Sequence, residues 1–265
     1  MPSGSETLTA RIDRGEPAYG LIVKMPNQPV VEMAGYAGFD LVVIDTEHGM
    51  ADDSALENHL RSARLAGIAA LVRVGQNDPA AILRALDAGA TGVIIPHITS
   101  RADAEKAVRA AFYPPRGSRG LAVSTIAGKY GAVSLPDHLD SAEGTIVLAQ
   151  AEDEHSATHI GDITSVAGLT GVWIGLADLS ISLGHPGQSH HPAVAAAIET
   201  IVTATRRAGR LLCVIADDPE DAQNWLDRGA RVVLFNSTTL ISAAFGAALA
   251  HRPAPSQHPV SSDHA

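Results

Sequence analysis

Two carboxylates and an imidazole follow directly after one short apolar segment of the chain. The segment 41–44 reads LVVI, and Asp45, Glu47 and His48 come immediately after it. An unpaired charge is costly to bury, so stability alone does not explain such a cluster at the end of a buried strand. A solvated loop that caps a helix is the simpler interpretation. We favour a catalytic one because polar groups recur at the ends of other apolar segments.

This recurrence extends over most of the chain. The polar or ionisable residues that follow the other apolar segments are Lys24, Arg73, His97, Gln150, Glu152, Asp178, Asn236 and Ser237. In a barrel of parallel strands the C-terminal strand ends meet at one rim, where active sites are found. The pattern therefore predicts a single polar site.

Glu152 and Asp178 are the carboxylates most suited to a metal ion. Two carboxylates on neighbouring strands approach each other closely when a positive charge lies between them. A hard divalent cation supplies that charge and prefers oxygen ligands. Alternatively, Asp178 caps a helix, or Glu152 binds zinc together with His155 and His159, which have helical spacing.

Arg73 follows the apolar segment 69–72, so its guanidinium enters the same rim. A permanently charged guanidinium can stabilise an enolate or a carbonyl oxygen. It can equally form an ion pair with Asp45 or Glu47, and both roles are compatible. The turn 175–178 offers free backbone N–H groups that suit a carboxylate.

Short β-branched segments alternate with Ala-rich amphipathic segments throughout the chain. We predict strands at 19–23, 41–44, 69–72, 92–95, 145–149, 171–174, 211–215 and 231–235, and helices at 54–66, 80–88, 102–111, 193–207 and 219–228. Eight such units in one domain, residues 1–250, predict a (β/α)₈ TIM barrel of the α/β class. A doubly wound open sheet is the alternative, although no Gly-rich dinucleotide loop follows the first strand. The Pro-, Ser- and His-rich tail 251–265 is expected to be disordered.

Composition narrows the possible partners. The chain has 265 residues and a formal net charge of −10, which argues against a nucleic-acid or anionic-membrane partner. No apolar segment is long enough to span a bilayer, and the polar N-terminus has no signal-peptide core. The single cysteine, Cys213, lies in an apolar segment, which suits a core position and a reducing cytoplasm.

Several motifs together resemble the class II, metal-dependent pyruvate aldolases of the HpcH/HpaI family. The matching segments, in order, are 45–49 (DTEHG), 72–73 (VR), 77–79 (NDP), 84–90 (RALDAGA), 95–96 (IP), 104–105 (AE), 113–120 (YPPRGSRG), 150–152 (QAE), 175–180 (GLADLS) and 191–192 (HP). They extend from about residue 15 to residue 250. A resemblance this long is more specific than a single motif.

The resemblance implies a set of roles for residues of this chain. Glu152 and Asp178 are expected to bind Mg²⁺, Mn²⁺ or Co²⁺, and Glu47 to order water at the metal. His48 with Asp45 forms the acid/base pair, and Arg73 stabilises the enolate. The substrate-binding residues implied are Gln150, Gly175, Leu176, Ala177 and Ser124. The resemblance also implies a homo-oligomer, often a hexamer built as a trimer of dimers with exchanged terminal helices.

The expected activity is the reversible aldol cleavage of a 4-hydroxy-2-oxo acid to pyruvate, or a related 2-oxo acid, and an aldehyde. Three rival functions remain open: a Schiff-base aldolase acting through Lys24, a CoA-thioester or citrate lyase, and a non-catalytic protein that binds 2-oxo acids. The sequence leaves open the aldehyde, and any acceptor contact by His97 or by Arg116 and Arg119 of the long segment 112–144.

Overall fold

Eight parallel strands close into a barrel in the order β1 to β8 in the computed structural model. It describes the backbone of residues 4–250 and the side chains of residues 8–250. The predicted (β/α)₈ barrel is thus confirmed, and the open doubly wound sheet is excluded. The tail 251–265 lies outside the described residues, so its disorder stays a prediction.

Helices alternate with the strands around the barrel. The strands are β1 (Ala18–Val23), β2 (Leu41–Asp45), β3 (Ala69–Arg73), β4 (Gly92–Ile95), β5 (Ile146–Ala151), β6 (Gly171–Ile174), β7 (Leu211–Ile215) and β8 (Val232–Asn236). The helices are α1 (Gly4–Asp13), α2 (Gln28–Ala37), α3 (Asp53–Ala66), α4 (Pro79–Asp87), α5 (Arg101–Ala111), α6 (Leu135–Glu143), α7 (Glu154–Thr158), α8 (Ile160–Thr164), α9 (Leu176–Ser182), α10 (Pro192–Arg207), α11 (Pro219–Asp227) and α12 (Ser237–Leu249).

Strand side chains alternate between two separate apolar clusters. In β2, Leu41 and Val43 belong to a cluster inside the barrel, whereas Val42 and Ile44 pack against the surrounding helices. This is the period-2 geometry of a strand. Because both faces are covered, the strands are almost continuously apolar, as parallel sheets usually are.

Helix α1 closes the N-terminal end of the barrel. Leu8 of α1 is almost completely buried and joins the inner apolar cluster. Cys213 of β7 lies in the same cluster, as the sequence predicted, and burial raises the pKa of its thiol. A buried, protonated thiol is a poor nucleophile. Among the described residues, no helix has the length and apolar character needed to cross a membrane.

Short polar caps begin the helices that follow the strands. Asp52, Asp78 and Asp218 each accept a backbone N–H from the first turn of α3, α4 and α11. Such caps satisfy N–H groups that have no partner inside the helix. They fix the strand-to-helix turns at the rim where the polar residues lie.

Candidate functional site

Strand alternation places the predicted polar residues inside the C-terminal mouth of the barrel. Asp45 continues the inward series of Leu41 and Val43, and Arg73 continues that of Ala69 and Leu71. Gln150 follows Ile146 and Leu148 in the same way on β5. The apolar interior thus ends in a layer of polar side chains.

Asp45 and Arg73 form a buried ion pair at this mouth. The two residues are register partners on β2 and β3, and Arg73 contacts both carboxylate oxygens of Asp45, with Nε 3.0 Å from Oδ1. Oδ1 also accepts the backbone N–H groups of Glu47 and His48, each at 3.1 Å. Burial alone would raise the pKa of Asp45, but the charge and hydrogen bonds of Arg73, with these two amides, lower it below its ordinary value.

The remaining nitrogen of Arg73 faces Glu47 and Gln150. It lies 3.0 Å from Glu47 Oε2 and donates to Gln150 Oε1 at 3.4 Å. Below it, the guanidinium carbon stands 4.9 Å from the ring centroid of Trp173, a cation–π contact. Arg73 is therefore held from several sides, and its charge is directed into the mouth.

Glu152 is a buried carboxylate without a cationic side chain of its own. Its Oε2 accepts from Gln150 Nε2, and its Oε1 accepts the backbone N–H of His97 at 2.8 Å. Burial is the main cause that raises its pKa, and the charges of Glu47 and Asp178 raise it further, while His97 lowers it. A carboxylate in this environment is suited to bind a cation.

His97 is a member of the site whose role the sequence left open. Its ring Nδ1 lies 2.8 Å from Glu152 Oε1, and its Nε2 lies 3.3 Å from Glu47 Oε1. The residue directly follows Ile95-Pro96 at the end of β4, so its position was readable from the strand pattern. Its contacts with two carboxylates were not.

The donor atoms present fit a divalent ion. Glu47, His97 and Glu152 each offer one donor atom, and these three atoms lie within 4.8 Å of one another. The buried Oε2 of Glu47 has no hydrogen-bond partner among the described residues, because the nearby Arg73 nitrogen is poorly aligned with it. Carboxylate oxygens and an imidazole nitrogen are common ligands of divalent first-row metals.

Asp178 is placed beside this group but is not one of its three members. It lies in the first turn of α9 with an exposed side chain, and its charge acts on Glu152. The predicted Glu152–Asp178 pairing is therefore compatible with the structure, and its role as a ligand pair stays a prediction.

His48 contacts a different partner from the one predicted. Its ring Nε2 lies 3.7 Å from Glu47 Oε2, and the carboxylate of Asp45 receives its backbone N–H instead of its ring. The oxygens of Asp45 are already engaged by Arg73. The structure thus groups His48 with Glu47, and the acid/base role of His48 stays a prediction.

Gly175, which directly follows β6, lies against Glu152. A Cβ at this position would lie 2.7 Å from the Cβ of Glu152 and 3.1 Å from its Oε2. Gly175 precedes α9, in which Leu176 and Ala177 are the first two residues. Early N–H groups of a helix have no intrahelical partner, and these predicted carboxylate-binding residues do lie at the mouth.

The fold of a single chain does not bring the segment of Ser124 to this site, and the substrate-binding role of Ser124 stays a prediction. Its segment is held at the C-terminal end of α4, where Ala127 N donates to Asp87 O at 3.1 Å and Arg119 pairs with Asp87 at 2.7 Å. Because helices run antiparallel to the strands, this end of α4 faces away from the mouth. The connection leads from a helix into β5, so its default position is the opposite end of the barrel.

The two arginines of the long segment 112–144 and the histidine pair of α7 have partners away from the site. Arg116 pairs with Glu143, and Arg119 stacks on Tyr113, so both guanidinium groups have structural roles. His155 of α7 and His159, which follows α7, stack on each other at the surface, whereas Glu152 faces His97. The alternative zinc site of Glu152, His155 and His159 is therefore not assembled.

The mouth of the barrel combines three groups that can take part in a reaction. Glu152, with Glu47 and His97 beside it, can hold a divalent cation; Arg73 supplies a fixed positive charge; and the exposed imidazole of His48 can exchange protons. A cation and a guanidinium directed at one position stabilise negative charge that develops on an oxygen. This arrangement suits the formation of an enolate from a keto acid.

Comparison with known proteins agrees with this chemistry. The model of the HpcH/HpaI aldolase/citrate lyase family matches residues 18–243. A pyruvate aldolase from Rhizobium etli is 33% identical over 243 residues, which cover 91% of this chain and 95% of that protein. A 4-hydroxy-2-oxo-heptane-1,7-dioate aldolase from Salmonella arizonae is 34% identical over 90% of both chains. The crystal structure of a family protein from Burkholderia cenocepacia superposes with a TM-score of 0.87 at 30% identity, covering 92% of this chain and 98% of that one.

Proposed function

The chain belongs to the HpcH/HpaI aldolase/citrate lyase family, and from this premise we propose that it catalyses a divalent-metal-dependent, reversible aldol cleavage. The substrate is a 4-hydroxy-2-oxo acid, and the products are pyruvate, or a related 2-oxo acid, and an aldehyde. Family membership confirms the predicted resemblance and the predicted class of enzyme, an aldolase. The observation that carries the proposal is the buried Glu152 beside the fixed guanidinium of Arg73.

Glu152 and Asp178 are proposed to hold the ion, which is Mg²⁺, Mn²⁺ or Co²⁺, with Glu47 beside it. When bound, the ion supplies Lewis-acid polarisation of the 2-keto group. Arg73 is positioned to share the negative charge that develops on the enolate oxygen, because Asp45 fixes its direction. Gln150 lies between Arg73 and Glu152 and so borders the keto group.

His48 is the proposed proton carrier. In cleavage its imidazole removes the proton of the C4 hydroxyl, and in synthesis it returns that proton. Its exposed ring reaches the solvent side of the mouth, and Glu47 at 3.7 Å can hold the resulting imidazolium. The backbone N–H groups of Leu176 and Ala177 are proposed to bind the substrate carboxylate. Gly175 is proposed to border it as the turn residue, because its own N–H donates to Ala151 O at 3.0 Å.

Deuterium exchange into the methyl group of pyruvate tests this function before the aldehyde is known. We expect exchange in D₂O with an added divalent ion, loss of exchange after exhaustive chelation, and recovery when the ion is restored. Glu152→Gln should abolish exchange, whereas His155→Gln, a change on the exposed face of α7, should leave it intact. Exchange that persists without any divalent ion would remove the metal from the mechanism.

The same sample tests two of the rival functions. Borohydride trapping of pyruvate on Lys24, which follows β1 at the mouth, would favour Schiff-base chemistry. Binding of pyruvate without any proton exchange would favour a non-catalytic binding protein.

The proposed setting is the cytoplasm, which suits the single buried thiol of Cys213. The proposed assembly is a homo-oligomer.

A further inference from the structure

His97 holds its ring over the site by means of an uncommon backbone conformation. Its φ angle is +55°, in the left-handed region that non-glycine residues seldom occupy. In this conformation both its backbone N–H and its ring Nδ1 lie 2.8 Å from the same oxygen, Glu152 Oε1. The side chain is 67% exposed, so burial does not hold the ring there; its polar contacts do.

The two donor atoms of His97 and Glu152 lie close enough together to bind one ion. Donors that occupy neighbouring positions of an octahedral ion at about 2.1 Å lie about 3 Å apart. His97 Nδ1 and Glu152 Oε1 are 2.8 Å apart. An ion bound by Glu152 on its solvent side can therefore take Nδ1 as a second ligand without a large movement of either side chain.

The second ring nitrogen has the partner that a metal-bound histidine needs. A ligating imidazole usually donates its other N–H to a carboxylate or carbonyl, which fixes the tautomer and the ring orientation. His97 Nε2 lies 3.3 Å from Glu47 Oε1. Glu47 in turn forms an ion pair with Arg73. The carboxylate of Glu47 can therefore orient the imidazole of His97 towards the ion.

We propose that Nδ1 of His97 is a direct ligand of the divalent ion beside Glu152, with Glu47 orienting the ring. The inference rests on the proposed function, because it concerns the ion of the same site. A nitrogen ligand changes which ions the site prefers: imidazole favours Ni²⁺, Co²⁺ and Zn²⁺ relative to Mg²⁺, which prefers an all-oxygen set. The site is thus a mixed nitrogen–oxygen centre.

The decisive measurement is pulsed electron paramagnetic resonance of the protein with one equivalent of Mn²⁺. We expect the electron-spin-echo modulation of a coordinated imidazole nitrogen in the wild-type protein. His97→Asn and His97→Gly should lose it, and both residues tolerate a positive φ, so the backbone is preserved. His155→Gln should keep the modulation. Modulation that survives both His97 substitutions, or that is absent from the wild-type protein, overturns the proposal.

Glu152→Gln distinguishes failure of this inference from failure of the proposed function. If Glu152→Gln removes tight Mn²⁺ binding but no nitrogen modulation is seen in the wild-type protein, the metal site stands and His97 is not its ligand. If Glu152→Gln leaves Mn²⁺ binding unchanged, the metal site itself is wrong, and this inference falls with it.

Ion preference gives a second readout that does not depend on turnover. The ratio of Ni²⁺ to Mg²⁺ affinity, measured by calorimetric titration, should fall about tenfold or more in His97→Asn and His97→Gly. His155→Gln should leave the ratio unchanged. An equal loss of affinity for both ions would mean that His97 acts on the site through its charge or shape, which contradicts ligation.

Discussion

Arg73 organises the charges at the mouth of the barrel. Its Nε and one terminal nitrogen engage Asp45, and the other terminal nitrogen faces Glu47 and Gln150. A charge fixed before substrate arrives needs no reorganisation during the reaction, which is the condition for strong electrostatic stabilisation of a transition state. The main effect of the buried ion pair with Asp45 is therefore to fix the position of the Arg73 guanidinium, and its net contribution to the stability of the fold is secondary.

Asp45→Asn should destabilise the protein at neutral pH by about 3–5 kcal/mol, because it leaves the buried guanidinium of Arg73 without its partner charge. The pKa of Asp45 is lowered in the folded state. The unfolded chain therefore binds more protons between the folded pKa and the unfolded value of about 3.9, and the contribution of the carboxylate is lost as the pH falls through this range. In urea unfolding, the difference between Asp45→Asn and wild type should shrink from pH 7 to pH 3. A difference that is constant with pH would contradict the pairing.

Glu152→Gln should have the opposite effect on the metal-free protein. Its pKa is raised in the folded state, chiefly by burial, so the folded protein binds more protons above the unfolded value of about 4.3, and the ionised group destabilises the fold as the pH rises. At pH 7 without metal, the variant should unfold at a higher urea concentration than wild type, and lowering the pH should remove this gain.

A divalent ion at one hundred times its Kd should stabilise wild type by about 2.7 kcal/mol, and the variant by much less. Equal stabilisation of both proteins would place the ion elsewhere.

At the scale of elements, strand periodicity made most of the site predictable. Once an apolar segment is aligned to the barrel, alternate residues point inward, and this alone places Asp45, Arg73 and Gln150 at the mouth. The strand β5 shows the limit of the method. We predicted its end at Ala149, but Gln150 and Ala151 still pair with Trp173 and Ile174 of β6, because the neighbouring strand extends as far.

Contacts made across elements were not predictable from spacing. The ring of His48 lies near Glu47 because Arg73, from another strand, already occupies the oxygens of Asp45. Ser124 was placed at the site by resemblance alone, whereas its segment is held to α4. His97 depends on a backbone conformation that its residue type does not indicate.

The turn before α9 should tolerate no side chain at Gly175. A Cβ there would press on the Cβ of Glu152 at 2.7 Å, and the neighbouring strands leave little room for adjustment. Gly175→Ala should therefore displace the carboxylate and weaken divalent-ion binding by about tenfold or more, as changes next to ligands usually do. The effect is measured by calorimetric titration.

Gly161→Ala is the matched control for that substitution. A Cβ at Gly161 has no atom within 4 Å, and its φ is not positive, so alanine fits in α8 and should leave ion binding unchanged while adding about 0.4–1 kcal/mol of stability. Normal ion affinity in Gly175→Ala would mean that Glu152 is not held where the ion binds.

At the scale of the whole molecule, α1 and α12 differ in how far their apolar side chains are buried. α1 buries Leu8 beneath the barrel, whereas α12 buries Ser237 and leaves Phe245 and Leu249 exposed by 69% and 60%. The sequence of α12, STTLISAAFGAAL, carries no charge. Monomeric proteins seldom expose so continuous an apolar surface, and such surfaces usually mark an interface. Near the start of α12, an apolar groove of about 200 Å³ is lined by residues that include Val30, Met33, Leu240 and Ile241.

We expect a second copy of the chain to cover this surface, since a two-fold interface uses the same patch on both subunits. We expect sedimentation analysis to show a homo-oligomer whose apparent mass falls in Phe245→Lys combined with Leu249→Lys, because a buried lysine pair would be costly at such an interface. Leu65→Lys, a change at a residue 80% exposed on α3, should leave the mass unchanged. Glu47, His97 and Glu152 lie together within one chain, so the dissociated variant should still bind a divalent ion at Glu152. A monomeric wild-type protein, or an oligomer unaffected by the double change, would show that α12 is not the interface.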